Sequence, residues 1–142
     1  MKQFMLIATV LGSLLLSGFS NAEQKKTLGD WDVHYMAVES TFLTPQVAKA
    51  YGIIRSKNNI LINISVLDKS TKKAQSVAVT GNARNLLGTE KELSFKEVVD
   101  GDAIYYLAVM SIRDEEHYRF NIRLQHANVQ QTLKFEQKVY KG

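Results

Sequence analysis

The sequence predicts an all-β protein, an immunoglobulin-like antiparallel β-sandwich of about seven strands with one short helix in the first crossover. Three observations carry that expectation. Apolar residues recur with a period of two over most of the chain, the spacing that sends alternate side chains to opposite faces of a strand. Turn residues fall between these runs. One stretch, "STFLTPQVAKAYGIIRSKN" at residues 40–58, breaks the alternation and reads as helical.

The first 22 residues stand outside this pattern. A single cation, Lys2, precedes an apolar run of 16 residues from Phe4 to Phe19, and Ser20 and Ala22 then occupy the small-residue positions of a cleavage site. This is the layout of a secretory signal peptide; Gly12, Ser13, Ser17 and Gly18 break the run too often for a membrane span. Processing after Ala22 leaves 142 − 22 = 120 residues, so 23–142 is expected to be one periplasmic sandwich domain with no stable span.

The first strand, "WDVHYMAV", sets Trp31, Val33 and Tyr35 against Asp32, His34 and Met36. In the crossover Thr44 suits an N-cap and Pro45 the first helical position, Val47, Ala48, Ala50 and Tyr51 supply an apolar face, and Gly52 stops the helix. This segment is expected to carry the chain from one sheet to the other and to cover an open end of the core. "NILINISVL" then sets Ile60, Ile62, Ile64 and Val66 against Leu61, Asn63, Ser65 and Leu67. "QSVAVTGNA" puts Val77, Val79, Gly81 and Ala83 on one face. "KELSFKEVV" points Leu93 and Phe95 inward before the pattern slips near Glu97, where a bulge is expected. "AIYYLAVMSI" is apolar on both faces, as a central strand covered on each side would be. Tyr118, Phe120, Ile122 and Leu124, then Leu133, Phe135 and Val139, give two further inward rows. Asp100-Gly101, "RDEE" at 113–116 and "HANVQQ" at 126–131 supply the turns.

Composition narrows the function. The absence of cysteine removes a disulfide framework and thiol chemistry. Without Lys2 the balance is 17 − 14 = +3, diffuse along the chain and unlike the clustered cations of a nucleic-acid binder. His34, His117 and His126 show no ligand spacing toward one another or toward a carboxylate cluster, so no metal or cofactor is expected. His34 beside Asp32, with Ser40 or Ser65, would make a hydrolase triad, yet the chain has no Gly-X-Ser-X-Gly elbow. Asp100 and Asp102 flank Gly101 and read as turn residues.

Two surfaces are candidates for binding. In the crossover, Phe42, Leu43 and Tyr51 stand near the cations Lys49, Arg55 and Lys57, a combination suited to an anionic or amphipathic partner. The plainer alternative is that this segment only caps the core, and a mixture is expected, with Tyr51 structural and Arg55 to Lys57 exposed. A second, basic row of Arg119, Arg123, Lys134 and Lys138 shares one sheet face if those strands form a hairpin, with Glu136 diluting it.

"FLTPQVAKAYGIIRSKNNILINISVL", "TGNARNLLG" and "GDAIYYLAV" resemble the signature segments of a family of small exported Gram-negative proteins known only as domain of unknown function 4426. The resemblance runs from about Leu28 to the C-terminus. It implies a single periplasmic domain and carries no activity or site residues. The function expected is therefore non-catalytic binding of an envelope protein or an anionic envelope component. The alternatives are a carrier with a cavity lined by Trp31, Tyr51, Tyr105 and Tyr106, or a hydrolase using His34.

Overall fold

In the computed structural model, residues 24–141 are described, and they form nine strands. These are β1 (Gln24–Leu28), β2 (Trp31–Glu39), β3 (Asn59–Asp68), β4 (Ala78–Asn85), β5 (Glu90–Ser94), β6 (Lys96–Asp100), β7 (Ala103–Ser111), β8 (Glu116–His126) and β9 (Val129–Val139). A 3-10 turn (Ser40–Phe42) and helix α1 (Pro45–Tyr51) lie between β2 and β3. The expected signal peptide and its expected cleavage point lie outside the described residues.

One sheet has the order β1-β2-β3-β7-β6 and the other β5-β4-β8-β9, with every neighbouring pair antiparallel. The expected sandwich is present, and its inward rows are those that the alternation marks. Val33, Ile62, Ile64 and Val66 meet Tyr118, Ile122, Leu124 and Leu133 between the sheets, all fully buried. Burying each of them stabilises the fold by about 1.5–3 kcal/mol. Phe135 ties the layers, its ring 4.4 Å from Tyr35 of the first sheet and 4.6 Å from Phe120 of its own. β7 lies between β3 and β6 with Tyr106, Ala108 and Met110 in this core and Tyr105 and Leu107 on the opposite face. That is why its sequence is apolar on both sides.

The structure departs from the sequence reading at three places. β1, "QKKTL", is an added edge strand; two lysines and a single large apolar residue give it no alternation, and lysine is what keeps such an edge from pairing with other chains. The slip near Glu97 is no bulge: β5 pairs with β4 in one sheet and β6 with β7 in the other, so the chain changes sheets at Phe95. The first crossover does not change sheets at all. β2 and β3 are neighbours from Trp31↔Asp68 to Glu39↔Ile60, so the segment between them returns to the sheet it left and folds over its outer face.

Candidate functional site

α1 forms where local chemistry dictates. The Thr44 hydroxyl accepts the Val47 N–H at 3.2 Å, Pro45 begins the helix, and Gly52 ends it at φ +69°, donating to the carbonyls of Ala48 and Lys49. Its apolar side then packs downward: Val47, Ala48 and Tyr51, joined by Leu43, cover Leu61, Tyr105 and Leu107. The Tyr51 hydroxyl donates to Asp100 Oδ2 at 2.7 Å. Burial first, and the Asp100 carboxylate second, push the Tyr51 phenol far above its ordinary pKa, so it stays a neutral donor. Asp100 is thus a buried helix-docking partner at the end of β6, with Oδ1 left without a hydrogen bond. The turn itself is Gly101-Asp102, and only Gly101 has positive φ, as when glycine stands first in a II′ turn.

This geometry divides the first candidate surface. Leu43 and Tyr51 are buried and Phe42 is half-buried, because α1 faces the sheet; Lys49, Arg55 and Lys57 are exposed. Arg55 ties the two legs of the connection together, Nε donating to the Leu43 carbonyl at 2.7 Å and Nη2 to the Thr41 carbonyl at 3.2 Å. The Ser40 hydroxyl reinforces this, donating to the Ser56 carbonyl and accepting the Ser56 N–H, each at 2.9 Å. Beside Arg55, Ile54 is 76% exposed, a residue the sequence reading passed over.

A second exposed apolar feature stands at the same end of the sandwich. In the β4–β5 turn Leu86 is 72% and Leu87 92% exposed. With Ile54 they are the three most exposed large apolar side chains among the described residues. The turn is held by Asn85, whose Oδ1 accepts the N–H groups of Leu87 at 3.0 Å and Thr89 at 2.9 Å. Backbone bonds from Asn85 to Thr89 and from Gly88 to Asn85, each 3.0 Å, close it. A chain of contacts joins this turn to residues 54–57. Lys91 donates to the Ser111 carbonyl, the Ser111 hydroxyl to Asn59 Oδ1 at 3.3 Å, and Asn59 Nδ2 to the Ile54 carbonyl at 3.4 Å. The only sequence signal was a pair of leucines inside a polar turn.

The basic row is broken by its own neighbours. Arg119 pairs with its cross-strand partner Glu136 at 2.9 Å and Lys138 with Glu115 at 2.5 Å. Arg123 instead borders a shallow polar depression of about 200 Å³ shared with Thr80, Asn82, Glu92 and Asn121; Lys134 stands opposite Asn121 on β9.

Trp31 and Tyr106 lie in the inter-sheet core, whereas Tyr51 and Tyr105 lie across the sheet under α1, so these four rings line no common cavity. Ser65 stands opposite His34 in the β2–β3 register, but Asp32 is engaged elsewhere, by Lys72 Nζ at 2.6 Å and the Thr27 hydroxyl at 2.8 Å. Those two bonds hold the Asp32 carboxyl at about 2, well below the usual carboxylate range. Among the described residues no group of three or more His, Cys, Asp or Glu side chains comes together as a metal site.

Two antiparallel sheets, a helix over the outer face of one and an exposed apolar end define a small helix-capped β-sandwich. The family model of the domain of unknown function DUF4426 matches residues 25–142, and the chain belongs to that family. It is similar to a solved DUF4426 family protein from Pseudomonas aeruginosa PAO1, with 35% identity and a TM-score of 0.76 over 87% of this chain and 99% of that one. FetP from uropathogenic Escherichia coli strain F11, expressed recombinantly in the periplasm, shares the fold at 11% identity and a TM-score of 0.57, over 82% of this chain and 93% of that one. A copper-bound variant of FetP gives 12% and 0.56, over 82% and 89%. Among curated proteins, none matches the sequence.

Proposed function

We propose that this protein is a non-catalytic periplasmic binding module that contacts another component of the cell envelope through the end of the sandwich. One observation carries the reading: Ile54, Leu86 and Leu87, the three most exposed large apolar side chains among the described residues, belong to two segments that Lys91, Ser111 and Asn59 hold together at that end. Exposed apolar residues gathered beside cations mark contact surfaces. Arg55 and Lys57 supply the charge toward an anionic partner, and α1 with its buried Tyr51 gives that loop a rigid base. The periplasmic expression of the FetP neighbour and the leader-like first 22 residues support the compartment. The copper of the FetP variant belongs to that protein and is not carried over to this chain.

The test is crosslinking in intact cells from a photoreactive residue at position 54. A discrete crosslinked species is expected, weakened in the folded Arg55→Glu/Lys57→Glu variant, most strongly at low salt. Crosslinks unchanged by that double substitution would remove this end from consideration.

A further inference from the structure

The component met by this end is open to a narrower assignment, which rests on the reading just given. We propose that the Leu86–Leu87 turn is a membrane-docking tip that inserts its two leucines into the interface of an anionic phospholipid bilayer.

Three observations favour a lipid surface over a protein. The leucines protrude from a tight turn, 72% and 92% exposed, and the turn is locked by the Asn85 side chain and two backbone bonds. A rigid apolar projection loses little conformational freedom when it enters lipid. Leucine is under-represented among the residues that dominate protein–protein binding, where tryptophan, tyrosine and arginine prevail.

Charge is arranged to suit. Arg84 and Lys91 flank the turn on its two strands, and Arg55, Lys57 and Arg113 stand on the neighbouring loops of the same end. The acidic groups there are Glu39, Glu90, Asp114, Glu115 and Glu116. Glu115 is paired with Lys138, and Glu116 accepts from the Asn85 amide and the Arg113 N–H. With Lys138 counted, six cations stand against these five carboxylates, a small positive excess around an apolar tip, and at anionic headgroups apolar burial and electrostatic attraction add together.

The chain has no cysteine, so single substitutions place a label uniquely. The exported protein carrying Leu87→Cys is coupled to a polarity-sensitive fluorophore, with Val129→Cys, exposed at the opposite end, as control. Both are titrated with vesicles of equal phosphatidylcholine and phosphatidylglycerol and with vesicles of phosphatidylcholine alone. The expected result is a blue shift and brightening at position 87 with the anionic vesicles and none at position 129. Vesicle co-sedimentation is expected to fall about tenfold or more in Leu86→Ser/Leu87→Ser, whose fold is checked by its melting curve. The Arg55→Glu/Lys57→Glu variant should lose binding to the anionic vesicles selectively. A silent label at position 87, equal responses at both positions, or a double serine variant that sediments like the wild type would each overturn the proposal. If the label is silent while position 54 still crosslinks to one envelope protein, the membrane assignment fails and the broader binding reading stands. Loss of both signals removes both.

Discussion

Tyr51 and Asp100 illustrate how one contact fixes where the helix sits. Asp100 is a buried carboxylate whose Oδ2 accepts from the Tyr51 hydroxyl and whose Oδ1 has no hydrogen bond, so the phenol is its anchor to α1. Tyr51→Phe keeps the ring packing and removes that donor; it should cost about 1–3 kcal/mol in urea unfolding. In an Asp100→Ala background the same change should cost under about 0.5 kcal/mol, and equal costs in the two backgrounds would show that the bond contributes nothing. Asp32 offers a second residue-scale test. Lys72 and then Thr27 lower its pKa from 3.8 to about 2 on folding, so the native state favours the ionised form. The resulting stability is complete above about pH 3.8 and is lost as pH falls through about 2. Lys72→Asn removes the larger cause while suiting the positive φ of that position, and the fall of the urea midpoint across this window should become shallower. Asp68, lowered by the N–H groups of Thr71 and Ser70, keeps part of the slope in the variant.

At the scale of elements, α1 depends on its ends as much as on its face. Gly52 sits at φ +69° where an added Cβ would meet only the flexible end of Lys96, at 2.8 Å, so the cost of Gly52→Ala is mainly backbone strain, about 1 kcal/mol by thermal melting. A melting point equal to wild type would mean that the cap is dispensable. The caps were legible because Thr44, Pro45 and Gly52 act on adjacent backbone groups. The strands β2, β3, β8 and β9 were legible because each buries one face against the opposing sheet, which writes a period of two into the chain. What stayed hidden depends on pairing between distant segments. "QKKTL" becomes β1 only because the β2 edge is open to it, and the break near Glu97 is a change of sheet only because β5 finds β4 while β6 finds β7. The face that α1 covers follows from β2 and β3 being neighbours, so Leu43 and Tyr51 read equally well as anchors for a partner. Leu86 and Leu87 escaped for the opposite reason: alternation finds residues that are buried, and these are not.

Across the whole molecule, β1 closes the sandwich as well as extending one sheet. Lys26 reaches from β1 to the Lys134 carbonyl on β9, Gln24 accepts from the Tyr35 hydroxyl at 2.8 Å, and Thr27 donates to Asp32. Processing after Ala22 would leave Glu23 alone ahead of β1 and keep all of these contacts. The exported protein should therefore begin at Glu23 by N-terminal sequencing, and a chain still beginning with Met1 would overturn the periplasmic reading. The fold itself sets how far the start can move. A chain beginning at Gly29 would lose the five-residue β1 and bare the edge of β2 from Trp31 to Tyr35, a row of newly unpaired backbone groups. With several backbone hydrogen bonds gone, its stability should fall by about 2 kcal/mol or more. The opened edge is also a template for pairing with another copy, since it lacks the lysines that β1 supplies. Light scattering and urea unfolding of the chains beginning at Glu23 and at Gly29 separate the outcomes. Association and early unfolding of the shorter chain are expected, and a monomer as stable as the longer one would show that β1 is ornament on a sandwich already complete.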